Sequence, residues 1–177
     1  VIPLGWAVLL LGAVFAGSLW AMRSGWRRRE ARTAAAVPAP PPVPTGLGEP
    51  LHGPVDVTYV TSTTAGDRYD RVVAHDLGAT APATVEVHPV GVHLARSSVP
   101  DLFVPREQIV SVGTAAGMVG KYPGRGRLLV LTWRTASDGP AIDTGLHTPS
   151  SHDRAALAEA LAALITPAPA PLPEEQS

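Results

Sequence analysis

The first 22 side chains, VIPLGWAVLLLGAVFAGSLWAM, carry no charge. A helix of that length rises about 33 Å, enough to cross a hydrocarbon core of about 30 Å. The pattern predicts one spanning helix over residues 1–22. Beyond residue 50 the period changes. Val55, Val57 and Tyr59 alternate with Asp56, Thr58 and Val60; Val85 and Val87 alternate with Glu86 and His88; Val90, Val92 and Leu94 alternate with Gly91, His93 and Ala95. A period of two marks strands. His88-Pro89-Val90-Gly91 lies between two such runs and reads as a hairpin turn. Asp101–Pro105, Ile109–Val112, Arg127–Arg134 and Ala141–Leu146 bring the total to about seven short strands, with the apolar RLLVLTWR the most central. The period then becomes helical. Leu157, Leu161 and Leu164 recur at i, i+4, i+7, so one stripe is apolar. Ser150 as N-cap with Asp153 reaching back starts that helix, and Pro167 stops it. Asp67–His75 reads as a short helix capped by Thr64, with Tyr69, Val72 and Val73 on one face, or as a strand through Val72–Val73.

Seven strands and one amphipathic helix predict a mainly β fold: a bent sheet or small barrel whose open end the C-terminal helix plugs with its leucines. That is the plan of a pleckstrin-homology (PH)-like domain. The chain divides into a transmembrane helix (1–22), a basic then Pro-rich linker (23–50), the PH-like domain (51–166) and a disordered Pro/acidic tail (167–177). Thr33–Pro50 holds six prolines. As a polyproline II spacer it would reach up to about 55 Å.

Charge orients the span. Arg23, Arg27, Arg28, Arg29 and Arg32 follow it against one acid, Glu30, and no charged side chain precedes it. Basic flanks stay in the cytoplasm. The expectation is a single-pass protein of the plasma (inner) membrane, N-terminus outside and PH-like domain cytoplasmic. Trp6 and Trp20 lie about 21 Å apart along a helix, and Trp6 and Trp26 about 30 Å. Those separations suit indoles at the two interfaces. With Arg23, Arg27, Arg28 and Arg29 they make the expected membrane-interface set. A cleaved signal peptide needs a positive n-region that this sequence lacks. Gly12-xxx-Ala16 and Ala13-xxx-Gly17 allow close helix approach and a weak homodimer through the span.

The candidate chemistry is sparse. Without cysteine there is no disulfide, thiolate metal site or cysteine nucleophile. Residues 51–166 carry nine Lys/Arg against eleven Asp/Glu, a mildly acidic balance that gives no push toward nucleic acid. KYPGRGR places Lys121, Arg125 and Arg127 around glycines, a cation set suited to a phosphate or an anionic lipid. Gly113–Lys121 is no phosphate loop, because Ala115 and Tyr122 stand where a glycine and a Ser/Thr are required. His88/His93 and His147/His152 repeat one spacing without further ligands, so they read as polar-face or loop histidines and no metal site is expected. GDRYDR reads as helix-surface ion pairs, with Asp67 or Arg71 alternatively fixing the loop to the barrel. No nucleophile, base and oxyanion site assembles, so neither an enzyme nor a cofactor is expected.

The chain resembles the actinobacterial membrane-anchored proteins with a bacterial PH-like domain. The resemblance rests on TTAGDRYDRV (63–72), DLFVP (101–105), AGMVGK (116–121), LLVLTW (128–133) and DTGL (143–146). It implies the PH-like fold and a single N-terminal span, and no established activity. Such proteins are sometimes labelled transporters or exporters, but one span with a globular domain is no transporter by itself. The expected role is an adaptor: non-catalytic binding of an unknown protein or peptide at the cytoplasmic face. The alternatives are lipid or phosphate recognition through the Lys121–Arg127 loop, and an accessory subunit of a membrane assembly. For orientation, a reporter fused after Ser177 is expected to be active only in its cytoplasmic form. Robust activity of an export-type reporter there would reverse the topology.

Overall fold

A strand of 13 residues, β1 (His52–Thr64), pairs with different neighbours along its two halves. In the computed structural model, which describes residues 4–120 and 128–165, its first half pairs with β2 (Ala81–His88) and its second half with β7 (Ala141–His147). The register slips between Tyr59 and Thr61, at the changeover. Such an irregularity bends the strand and lets one sheet curl toward a barrel. The remaining strands are β3 (Gly91–Arg96), β4 (Leu102–Pro105), β5 (Ile109–Ala115) and β6 (Leu128–Arg134). All pairs are antiparallel, in the order β4-β3-β2-β1-β7-β6-β5, so β4 and β5 are the edges. The chain therefore has the mainly β, seven-strand PH-like architecture that the alternation predicts.

The hairpin at 88–91 closes as expected, with His88 opposite Gly91 and Pro89-Val90 as the loop. Glycine is needed at 91 because β4 passes too close for a side chain. A Cβ there would collide with the Val104 carbonyl and come within 2.8 Å of the Phe103 ring.

The C-terminal helix α2 (Ser151–Ile165) packs against β5 and β1 and buries Leu157, Leu161 and Leu164. Ser150 Oγ accepts the Asp153 N–H at 3.2 Å, which is the first half of the expected cap. The Asp153 carboxylate lies 3.5 Å from His152 Nδ1. Pro167 falls outside the described residues.

Residues 67–75 are neither the short helix nor the strand that the sequence suggested. They form turns, one bridge from Thr63 to Arg71, and a 3-10 turn at Ala74–Asp76. Tyr69 is 67% exposed while Val72 is buried, so the expected shared face does not exist. Asp67 Oδ1 takes the N–H groups of Tyr69 (2.9 Å) and Asp70 (3.3 Å), an Asx turn that competes with a helix. His75 and Asp76 both have positive φ, 57° and 55°, which no regular helix tolerates.

Inside the barrel a polar chain crosses the apolar core. The Trp133 indole N–H donates to Thr144 Oγ1 (2.9 Å); Thr144 and Ser62 hydroxyls are 2.7 Å apart; Ser62 and Tyr59 hydroxyls are 2.7 Å apart; and Tyr59 O–H donates to the Leu77 carbonyl (2.8 Å). Tyr59 has one proton, spent on Leu77, so Ser62 donates to Tyr59 and Thr144 donates to Ser62. The Arg96 guanidinium sits 4.8 Å from the Tyr59 ring centroid and donates to the Pro100 and Asp76 carbonyls, each at 2.9 Å.

Two predictions follow from this interior. Leu161→Ala is expected to cost about 2–5 kcal/mol in denaturant unfolding, and Leu157→Asp more, because it buries a charge. Unfolding indifferent to both changes would mean that α2 is not core. Burial pushes the Tyr59 phenol up to about 12, outweighing the opposite pull of Ser62 and Arg96. The folded state thus keeps a proton that the unfolded chain loses near pH 10. Stability should be full below pH 10 and should fall, by up to roughly 3 kcal/mol, as pH rises toward 12. Tyr59→Phe should remove that alkaline slope while weakening the fold at neutral pH, where it leaves the buried Ser62 hydroxyl without the acceptor of its proton.

Candidate functional site

The sequence singles out two basic features, and the structure treats them differently. Arg23, Arg27, Arg28 and Arg32 are exposed on α1 (Leu4–Ala36), one helix of 33 residues that runs through the basic segment without a break. Trp6 and Trp20 are exposed on the same helix, and no residue of its apolar window is buried. Trp26 and Arg29 also lie in α1, with their side chains outside the described set. The other feature, Lys121 with Arg125 and Arg127, lies outside the described residues. Its approach is described: Val119 N–H donates to the Arg68 carbonyl at 3.0 Å, which brings the start of that loop beside GDRYDR.

The GDRYDR charges are not helix ion pairs. Arg68 stacks over Tyr69 at 5.2 Å, and Asp70 Oδ2 accepts the Thr64 hydroxyl at 2.7 Å. The acid that fixes this loop to the barrel is Asp143, which accepts Gly66 N–H (3.1 Å) and the Thr132 hydroxyl (2.7 Å). Spacing along the chain cannot reveal this, because Gly66 and Asp143 are 77 residues apart.

The outward face of the β2–β3 hairpin carries an array the sequence showed only in part. Alternation places Glu86, His88 and His93 on one side, and the register sets Glu86 opposite His93. Glu86 Oε2 lies 3.4 Å from His88 Nε2 and 3.5 Å from His93 Nδ1, while His93 Nε2 meets Asp101 Oδ2 at 3.2 Å. Among the described residues no group of three such side chains is placed to hold a metal ion. This is a chain of pairwise contacts that ties β2, β3 and the approach to β4 together.

Two features concern partners. The first is the junction between helix and domain. Thr33 Oγ1 donates to the Glu30 carbonyl (3.0 Å) and accepts Ala74 N–H (3.1 Å). Val37 is 4% exposed, within the core, and its carbonyl takes a hydrogen bond from His75 Nε2 at 3.0 Å. Residues 33–36, expected in the extended spacer, are the last turn of α1, and the Pro-rich run leaves from a buried residue. The left-handed His75 is what turns its ring toward that carbonyl.

The second is β5. It pairs with β6 on one side, and among the described residues no strand pairs with its other side. Its seven residues, IVSVGTA, include no charge and no proline. Val110 is 47% exposed, and Ser111, Gly113 and Thr114 are exposed too. Natural edges are usually shielded by lysine, proline or cover. Among the described residues this one has α2 packed against it and a register irregularity between Ile109 and Ser111, at Val110, with Ser111–Ala115 in regular register with β6.

Among curated proteins none matches the chain. The family described as bacterial PH domain-like matches residues 37–162, beginning at the buried Val37 and ending within α2. That match spans the whole bent sheet and most of its closing helix, and the chain belongs to the bacterial PH domain-like family.

Proposed function

We propose that this chain is a non-catalytic, membrane-anchored binding module whose PH-like domain receives an extended segment of a partner protein along β5, at the cytoplasmic face. The uncharged, exposed edge of β5 carries the reading. An extended peptide laid there would complete the main-chain hydrogen bonds of β5 along Ser111–Ala115, beyond the irregularity at Val110, and lie beside the exposed Val110 side chain. The edge has no charge to repel an apolar segment, so an apolar, β-prone partner sequence fits it best. The arginines after the span support the cytoplasmic placement. Asp143, Asp70 and Glu86 are engaged in holding loops and strands, which supports binding in preference to chemistry.

The test is site-specific photocrosslinking in intact cells. A crosslinker at Val110 or Thr114 is expected to capture a discrete partner, and one at Asp56, on the opposite part of the sheet, is not. Val110→Lys should abolish the adduct formed from Thr114 while leaving thermal unfolding nearly unchanged, since it adds a charge to an exposed edge. Equal capture from Asp56, or none from β5, would overturn the reading.

A further inference from the structure

We propose that one face of α1, formed by Trp20, Arg23, Ser24, Arg27 and Arg28, is a binding site for the phosphate headgroup of an anionic phospholipid. The spacing i, i+3, i+4, i+7, i+8 puts all five on a single helical face. They line a cleft of about 280 Å³. Trp20 is 73% exposed and is the last aromatic residue of the uncharged run, so its indole stands where hydrocarbon gives way to headgroups. Arg23 follows about 4.5 Å further along the axis, at the depth of the lipid phosphates. Ser24 is half-buried between the arginines and offers a hydroxyl donor. Guanidinium forks bind phosphate oxygens two at a time. Glu30 is the one acid in this segment, so the face keeps an excess of positive charge.

The same observations argue against a second copy of the helix on this face. The face continues downward into Ala16 and Gly17, where a neighbouring helix could approach closely. A parallel copy seated there would set three arginines against three, about two to three turns above the contact. A lipid satisfies both halves: its phosphate neutralises the arginines and an acyl chain lies along the small residues.

The experiment uses the full chain in nanodiscs of phosphatidylcholine mixed with phosphatidylglycerol, with retained lipids counted by native mass spectrometry. The wild type should retain phosphatidylglycerol in preference to phosphatidylcholine. Arg23→Gln and Arg27→Gln should each lower that preference about five-fold, the worth of one arginine near an anionic surface. Arg32→Gln removes the same charge about 14 Å beyond Arg23 along the axis and should lower it less than about two-fold. Ser24→Leu fills the cleft and keeps every cation, so insertion and orientation persist; it should lower retention as Arg27→Gln does. Equal losses from Arg32→Gln, full retention in Ser24→Leu, or efficient disulfide crosslinking of a Ser24→Cys variant to a second copy would each overturn the proposal.

Discussion

Much of this molecule hangs on the hydroxyl of Tyr59. Tyr59 stands on β1 where that strand passes from β2 to β7, facing Ala81 on one side and Leu146 on the other. A phenol buried there must be paired or it destabilises the fold. Its proton goes to the Leu77 carbonyl, and its oxygen receives the chain that begins at Trp133. The chain thus joins β6, β7 and β1 to the segment after the 3-10 turn. Arg96 closes the same region from β3, stacking on the Tyr59 ring and taking the Asp76 carbonyl. Once Leu77 and Asp76 are pinned, Ala74 and His75 are held where they meet Thr33 and Val37. The place at which α1 joins the domain is therefore set from inside the barrel.

The fold was largely legible because its signals are periodic. Strict alternation at Val55–Val60 and Val85–Ala95 and the leucines of α2 each bury a face whose position follows from period alone; the apolar run at 128–133 is the expected strand, but β1 and not β6 is central, since β6 lies next to the edge strand β5. Residues 67–76 were not legible, since their shape comes from an Asx turn at Asp67 and from two left-handed residues held by distant partners, Val37 and Arg96. Local spacing contains no trace of either partner. The end of α1 was misread for a related reason. Six prolines between 38 and 50 dominate the composition of the linker, yet TAAA before them is helix-forming, and Val37 is buried only because of where the turn at 74–76 lies.

The candidate sites divide along the same line. The arginine and tryptophan positions of α1 could be read directly, because a single helix converts spacing into geometry. The exposed edge of β5 could not, because alternation identifies strands without saying which of them lie outermost. Edge status comes from the order β4-β3-β2-β1-β7-β6-β5, a property of the long-range pairing of β1 with β7. The His88–Glu86–His93–Asp101 array needed the register of the β2–β3 hairpin as well as its alternation.

The continuity of α1 changes what kind of tether this is. A proline spacer would let the domain wander at any height within its reach, whereas a helix fixes both height and direction. From Met22 to Thr33 the helix climbs about 16 Å. The headgroup layer on one side of a bilayer takes up about 5–8 Å, half the difference between total and hydrocarbon thickness. The docking point at Thr33 then stands roughly 10 Å clear of the headgroups. With the docking point at that height, the mildly acidic balance of the domain is compatible with standing off an anionic bilayer. That height fits the two proposed roles, lipid contact at the arginine-bearing turns of α1 and protein contact at the β5 edge. A partner reaching β5 meets a strand whose orientation is fixed through Tyr59, Leu77 and the junction at Val37, so the order lost on binding is that of the partner segment alone.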